Sequence, residues 1–264
     1  MKVIYAFIRA AFHDSAIYRF EFWGWVLATF IMMYASYSLW AILYRQDPNA
    51  FGLDLARMTT YGALGMLLIP ILEAAATPQY YIAEQVRQGT LELDLVKPLN
   101  FILHMLYRSL GEFCAQLLLV GVPGLAFASL FLGFQPPVSW QAGVGFAASL
   151  ALGYLIFFGV SMLMGMLSAL TLDIRSYSWA YWSLVSFTSG QLVPLWLYPP
   201  LLGAIAAALP FKSIFFVPMS IYIGAQEGSM AGALLSQVVW AAGVFVLVHL
   251  AWVRVQRRIV IQGG

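Results

Sequence analysis

Charge is what this sequence has least of. Of 264 residues only 9% are Asp, Glu, Lys or Arg, while 62% are hydrophobic; soluble domains carry about a quarter charged residues. A water-facing surface of ordinary size cannot be covered from that supply. Lysine is scarcest, at Lys2, Lys97 and Lys212. None of the three sits in the Gly-x-x-x-x-Gly-Lys setting that cradles a phosphate, which excludes an ATPase site of the P-loop kind in this chain. The single cysteine, Cys114, excludes an intrachain disulfide. His13, His104 and His249 lie far apart, so no cluster has metal-ligand spacing and no metal is expected. The net charge of +2, from basic residues scattered along the chain, forms no nucleic-acid-binding stripe.

Long apolar runs take the place of what is missing. Crossing ~30 Å of hydrocarbon takes about 20 mostly apolar residues. Runs of that size cover 22–44, 58–76 (interrupted by Glu73), 113–134, 141–172, part of 176–211, and 229–253. They are continuous, unlike the alternating segments of about ten residues that make a membrane β-barrel. The expectation is an all-α polytopic membrane protein, one domain over 1–264, with six transmembrane helices. With the N-terminus inside, Lys2, Arg9, Arg19, Arg87, Lys97, Arg108, Arg175, Arg254, Arg257 and Arg258 face the cytoplasm, and Arg45, Arg57 and Lys212 face out. Ten against three sets the orientation and puts both termini inside. Residues 1–21 are expected to remain attached, because the run after them spans and lacks a small-residue cleavage site. Val3, Ile4, Phe7, Ile8 and Ala11 share one helical face opposite Lys2, Arg9 and His13. That segment reads as an interfacial helix, or as a basic flank that only helps set topology.

The densest charge falls at 78–100, where Glu84, Arg87, Glu92, Asp94 and Lys97 occupy 23 positions between two apolar runs. Glu84 and Arg87 stand three apart on a helix face, and Gly89 predicts a helix end. From Thr90 the pattern fits a second short helix, with Leu91 and Leu95 on one face, and Pro98 stops it. Alternation of Leu91, Glu92, Leu93, Asp94 and Leu95 also fits a strand. On the first span Phe30, Tyr34 and Tyr37 form one stripe, which either packs against another helix or lines a substrate pathway. Glu73 is a functional candidate as an ionisable residue in a span, or it snorkels to water one turn away.

Further along, Arg108 and Glu112 pair at i and i+4, and Pro123-Gly124 predicts a kink. Gly145, Gly153, Gly159 and Gly165 predict close helix approach on the fourth span. Residues 176–211 are uncharged for 36 positions, too long for one crossing. Gly190, Pro194, Pro199, Pro200, Pro210 and Pro218 break that run. The fifth span should therefore end near Pro194, with a re-entrant outer segment at 194–227 whose irregular backbone must be satisfied by protein.

The spaced pattern Glu84, Arg87, Gly89, Thr90, Leu91, Glu92, Leu95, Lys97, Pro98 and Leu99 resembles the cytoplasmic loop of membrane subunits of ABC-2 transporters. The string from Gly190 through Pro194, Pro199, Pro210-Phe211 and Pro218 to Gly224 resembles the outer segment of the same family. The resemblance implies that 77–100, Asp94 included, holds a coupling helix that fits a groove on a separate cytoplasmic ATPase, and that 1–21 is a connecting helix packed near it. It further implies a dimer of membrane subunits, identical or not, in the cytoplasmic (inner) membrane. ATP and Mg²⁺ would sit on the ATPase, with no cofactor on this chain. Export of a hydrophobic or amphiphilic cargo (a drug, a lipid or a peptide) follows from family and composition. The alternatives are a polysaccharide exporter or an ion-coupled carrier. An intramembrane serine protease using Ser161 and His249 fails on depth, since counting from the inner span ends separates them by roughly 9 Å along the membrane normal.

Overall fold

The computed structural model describes residues 19–47, 51–91, 100–171, 175–226 and 228–262, and all regular structure among them is helical. The first long helix, α1 (Arg19–Gln46), leads to α2 (Leu55–Glu73), a 3-10 turn at Ala74–Ala76 and the polar α3 (Thr77–Gln88). The chain returns through α4 (Phe101–Gln116), a π turn at Leu117–Gly121 and α5 (Val122–Phe131). Two further helices follow, α6 (Trp140–Thr171) and α7 (Arg175–Thr188). The short α8 (Pro200–Ala207) and α9 (Phe216–Ile223) precede the last long helix, α10 (Met230–Gln262).

Five stretches among the described residues are long and apolar enough to cross a membrane: Phe22–Gln46, Leu55–Gln88, Phe101–Phe131, Trp140–Ser168 and Met230–Gln256. They match the first, second, third, fourth and sixth expected spans. The fifth differs. α7 has 14 residues, which rise about 21 Å, short of the ~30 Å of a bilayer core. It ends at Thr188 rather than near Pro194 because the chain turns at Gly190, whose φ of 74° is left-handed. A side chain at Gly190 would stand 3.0 Å from the Phe216 Cβ.

The core forms around α2 and α6. Every residue of α2 from Met58 to Leu68 is buried, which accounts for a composition that is apolar or small all round. The glycines of α6 do let other elements close in. Gly145 faces Met230 and Ile221, Gly153 the Ser213 and Ile214 carbonyls, Gly159 the Val244 side chain, and Gly165 the backbone of Pro78 and Gln79. On the α4 side, Pro123 has no N–H to offer the Leu119 carbonyl, and the helix widens into the π turn just before it.

The segment between α7 and α10 is irregular, and several of its carbonyls meet donors from distant residues. Tyr61 Oη donates to Gly190 O (2.5 Å), the Phe216 amide to Ser189 O (3.1 Å), and Gln237 Nε2 to both Ser213 O (2.6 Å) and Ser149 O (3.1 Å). Gln237 lies seven residues into α10, roughly 10 Å from its start. Protein groups therefore replace water around this folded-back backbone. At the same end of the molecule Thr60 Oγ1 accepts from the Gln135 amide, and the Val138 amide donates to Tyr222 O. The start of α2, the turn before α6 and the end of α9 are thereby gathered together. The polar α3 lies beyond the opposite end of α2.

Candidate coupling site

The chain does not stop where the apolar part of α2 ends at Glu73, which is exposed. It passes through the buried Ala74–Ala76 turn directly into α3. Pro78 explains the turn, because a proline there has no N–H for the Ala74 carbonyl four residues back. That carbonyl instead accepts the Thr77 amide in the tighter 3-10 turn, and the hydroxyls of Thr77 (2.7 Å) and Ser109 (3.1 Å) as well. Ser109 in turn lies 2.8 Å from Tyr154 Oη on α6. The Thr77 hydroxyl also reaches the Glu112 carboxylate, so its one hydrogen is shared between Ala74 O and Glu112.

Two neighbours hold the root of α3. On the α4 side, Arg108 Nε pairs with Glu112 Oε1 at 3.5 Å, and the Arg108 guanidinium lies over the Tyr81 ring, 4.8 Å from its centroid. Thr77 and Tyr81, one turn apart, thus face Glu112 and Arg108, also one turn apart. On the α6 side, the Gln79 amide donates to Ser161 Oγ (3.1 Å), and Ile82 is fully buried against Gly165. A third contact joins Trp182 Nε1 on α7 to Tyr80 Oη at 3.3 Å.

The far end of α3 is exposed. Arg87 donates to Glu84 twice, at 3.1 and 2.8 Å, and Gln88 Nε2 donates to it at 2.5 Å. The hydrogen bonds from Arg87 first, then from Gln88, hold the Glu84 carboxyl below its ordinary range. Gly89, with φ of 68°, ends the helix: its amide donates to Val86 O and the Thr90 amide to Gln85 O, the paired bonds of a left-handed helix stop. Thr90 Oγ1 adds a bond to Gln85 Oε1 (2.5 Å), and Leu91 turns back into the same core as Ile82. Glu92, Asp94, Leu95, Lys97 and Pro98 lie outside the described residues, as does the expected connecting segment up to residue 18.

The aromatic stripe is divided. Phe30 stacks on Phe127 of α5, with centroids 4.6 Å apart and rings nearly parallel, and Tyr37 is partly buried beside it. Tyr34 is 58% exposed, its ring 6.3 Å from that of Tyr37. These residues flank a core cluster separate from the one holding Ile82 and Leu91. Ser161 is buried and serves as acceptor for Gln79, while His249 is exposed on α10. Sequence reasoning passed over Thr77, Tyr81, Ser109 and Tyr154. The signal for Thr77 was Pro78, which cannot donate to the Ala74 carbonyl and shifts it to a 3-10 bond and to hydroxyl donors.

A bundle of long apolar helices, the second running on into a polar helix that ends in an exposed ion pair, defines a multi-pass membrane protein with a built protrusion at one end. A family model described as ABC-2 family transporter protein matches residues 30–263, and the chain belongs to that family. It is a membrane transport subunit, not itself an ATPase. No curated protein matches it.

Proposed function

We propose that this chain is the permease subunit of an ATP-driven exporter, with α3 and the residues after it forming the contact for a cytoplasmic ATPase that holds ATP and Mg²⁺. The observation that carries this reading is a helix rooted in the bundle by Thr77, Gln79 and Tyr81 whose end, residues 87–89, stands in solvent. A connector serving only to keep charge in water has no need of so many contacts at its root. Two copies of the chain, or this chain and a related one, would enclose the pathway, with both termini in the cytoplasm. A hydrophobic or amphiphilic cargo agrees with an apolar cavity of about 290 Å³ between α2, the π turn, α5, α6 and α9, lined by Leu64, Leu68, Ile71, Leu118, Val122 and Phe146 among others.

The test is purification of the chain expressed with its genomic neighbours, followed by mass spectrometry. A P-loop ATPase should co-purify with the wild type and be lost from Gly89→Pro and Leu95→Asp. Proline cannot adopt the positive φ of Gly89, so the first change redirects the loop without touching the apolar helices. A wild-type chain recovered alone would overturn the proposal and bring forward an ion-coupled carrier, with Glu73 the first residue to titrate.

A further inference from the structure

The root of α3 is held from two sides by groups of different kinds. Toward α6 the contact is close backbone packing with one hydrogen bond, from the Gln79 amide to Ser161 Oγ. A Cβ at Gly165 would lie 3.0 Å from Pro78 O and 3.1 Å from the Gln79 Cα, and the Gln79 side chain is fully buried between the two helices. Toward α4 the contact is polar and directional. Glu112 takes the Thr77 hydroxyl at the joint and pairs with Arg108, which covers Tyr81 one turn further out. By contrast, the link from α2 to α3 is a three-residue 3-10 turn of alanines, whose side chains offer no polar hold of their own. Beyond the Thr77 amide bond of the turn itself, the Ala74 carbonyl is held by the Thr77 and Ser109 hydroxyls, and Glu112 holds the Thr77 hydroxyl in turn.

From this we infer that Glu112 is a positioning residue: it sets the angle at which α3 leaves α2, so that a displacement of the exposed tip at 87–89 is delivered to α4 and α6 rather than absorbed by bending at Ala74–Ala76. The use of this geometry in transport rests on the coupling reading above. The geometry itself does not. With Glu112 in place, α3 is a short lever clamped over its first two turns. Without it, the close packing at Gly165 still limits movement toward α6, but Thr77 loses its bond to α4 and only the Ser109 bond to Ala74 O is left at the joint.

The experiment measures the angle in the full chain, with no ATPase present. In a Cys114→Ala background, spin labels at Gln88→Cys on the tip and Val246→Cys on α10, both exposed, report the distance from tip to bundle by pulsed electron resonance. A second pair, Val144→Cys and Val246→Cys, reports the α6–α10 packing. The tip distance should be single and narrow in the parent. It should spread in Glu112→Ala and in Thr77→Val, spread no further when the two are combined, and stay narrow in Thr77→Ser. The α6–α10 distance should be unchanged throughout. A tip distance that stays narrow in both single variants overturns the inference. So does spreading of both pairs together, since Glu112 would then hold the fold at large. If the tip spreads as expected but no ATPase co-purifies with the wild type, the positioning role stands and the coupling reading falls.

Discussion

Gly165 and Gly243 are both helical glycines, yet their surroundings give opposite expectations for the same substitution. At Gly165 an added methyl meets backbone atoms of Pro78 and Gln79, which cannot rotate away. Gly165→Ala should cost about 1–3 kcal/mol, as overpacking does, and shift α3 outward. At Gly243 nothing lies within 4 Å. Gly243→Ala should raise stability by up to about 1 kcal/mol through helix propensity alone. Equilibrium unfolding in mixed detergent micelles measures both. Ser161→Ala tests the same interface from its polar side. The Gln79 amide would lose its acceptor in a fully buried place, costing about 1–3 kcal/mol, whereas Ser161→Thr keeps the oxygen.

Elements impose their own demands, and the stretch between α7 and α10 shows them most clearly. Its short helices cannot satisfy each other's backbone, so the long helices supply donors: Tyr61 from α2 and Gln237 from α10. Gln237→Leu leaves the Ser213 and Ser149 carbonyls without their side-chain donor. It should destabilise the protein by on the order of 1–3 kcal/mol. The loss should be local, so Lys212, beside Ser213, should react faster with an amine-directed reagent while the α6–α10 packing at Gly159 and Val244 persists. Equal labelling of Lys212 in the variant and the wild type would mean that the segment is held by its apolar contacts alone.

For the whole molecule the question is which end faces which side of the membrane. On the ten-to-three division of basic residues, α3 should lie in the cytoplasm and the turn before α6 outside. In the Cys114→Ala background, Gln88→Cys should react with a membrane-impermeant maleimide only in inverted vesicles, and Val138→Cys only in right-side-out ones. Both positions are exposed, so access is decided by the membrane and not by packing. The reverse pattern would turn the molecule over and remove the cytoplasmic partner from the reach of α3.

Much of this architecture is local and was therefore legible in the residues. An apolar run of about twenty residues favours a helix long enough to span, and five of the six expected runs, all but the fifth, lie in such helices among the described residues. Gly89 ends a helix because its own backbone can turn left, and Arg108 pairs with Glu112 because one helical turn separates them. What the tertiary structure alone decided is non-local. The Phe30, Tyr34 and Tyr37 stripe looks uniform along a helix, but α5 covers only part of it. The run after α7 carries no charge to mark where it folds back, and its end was set by Gly190 meeting Phe216. The clamp on α3 joins residues 35 apart in sequence at Thr77 and Glu112, and 82 apart at Gln79 and Ser161. Hydrophobicity sums along the chain, whereas a hydrogen bond between distant residues exists only once packing has brought donor and acceptor together.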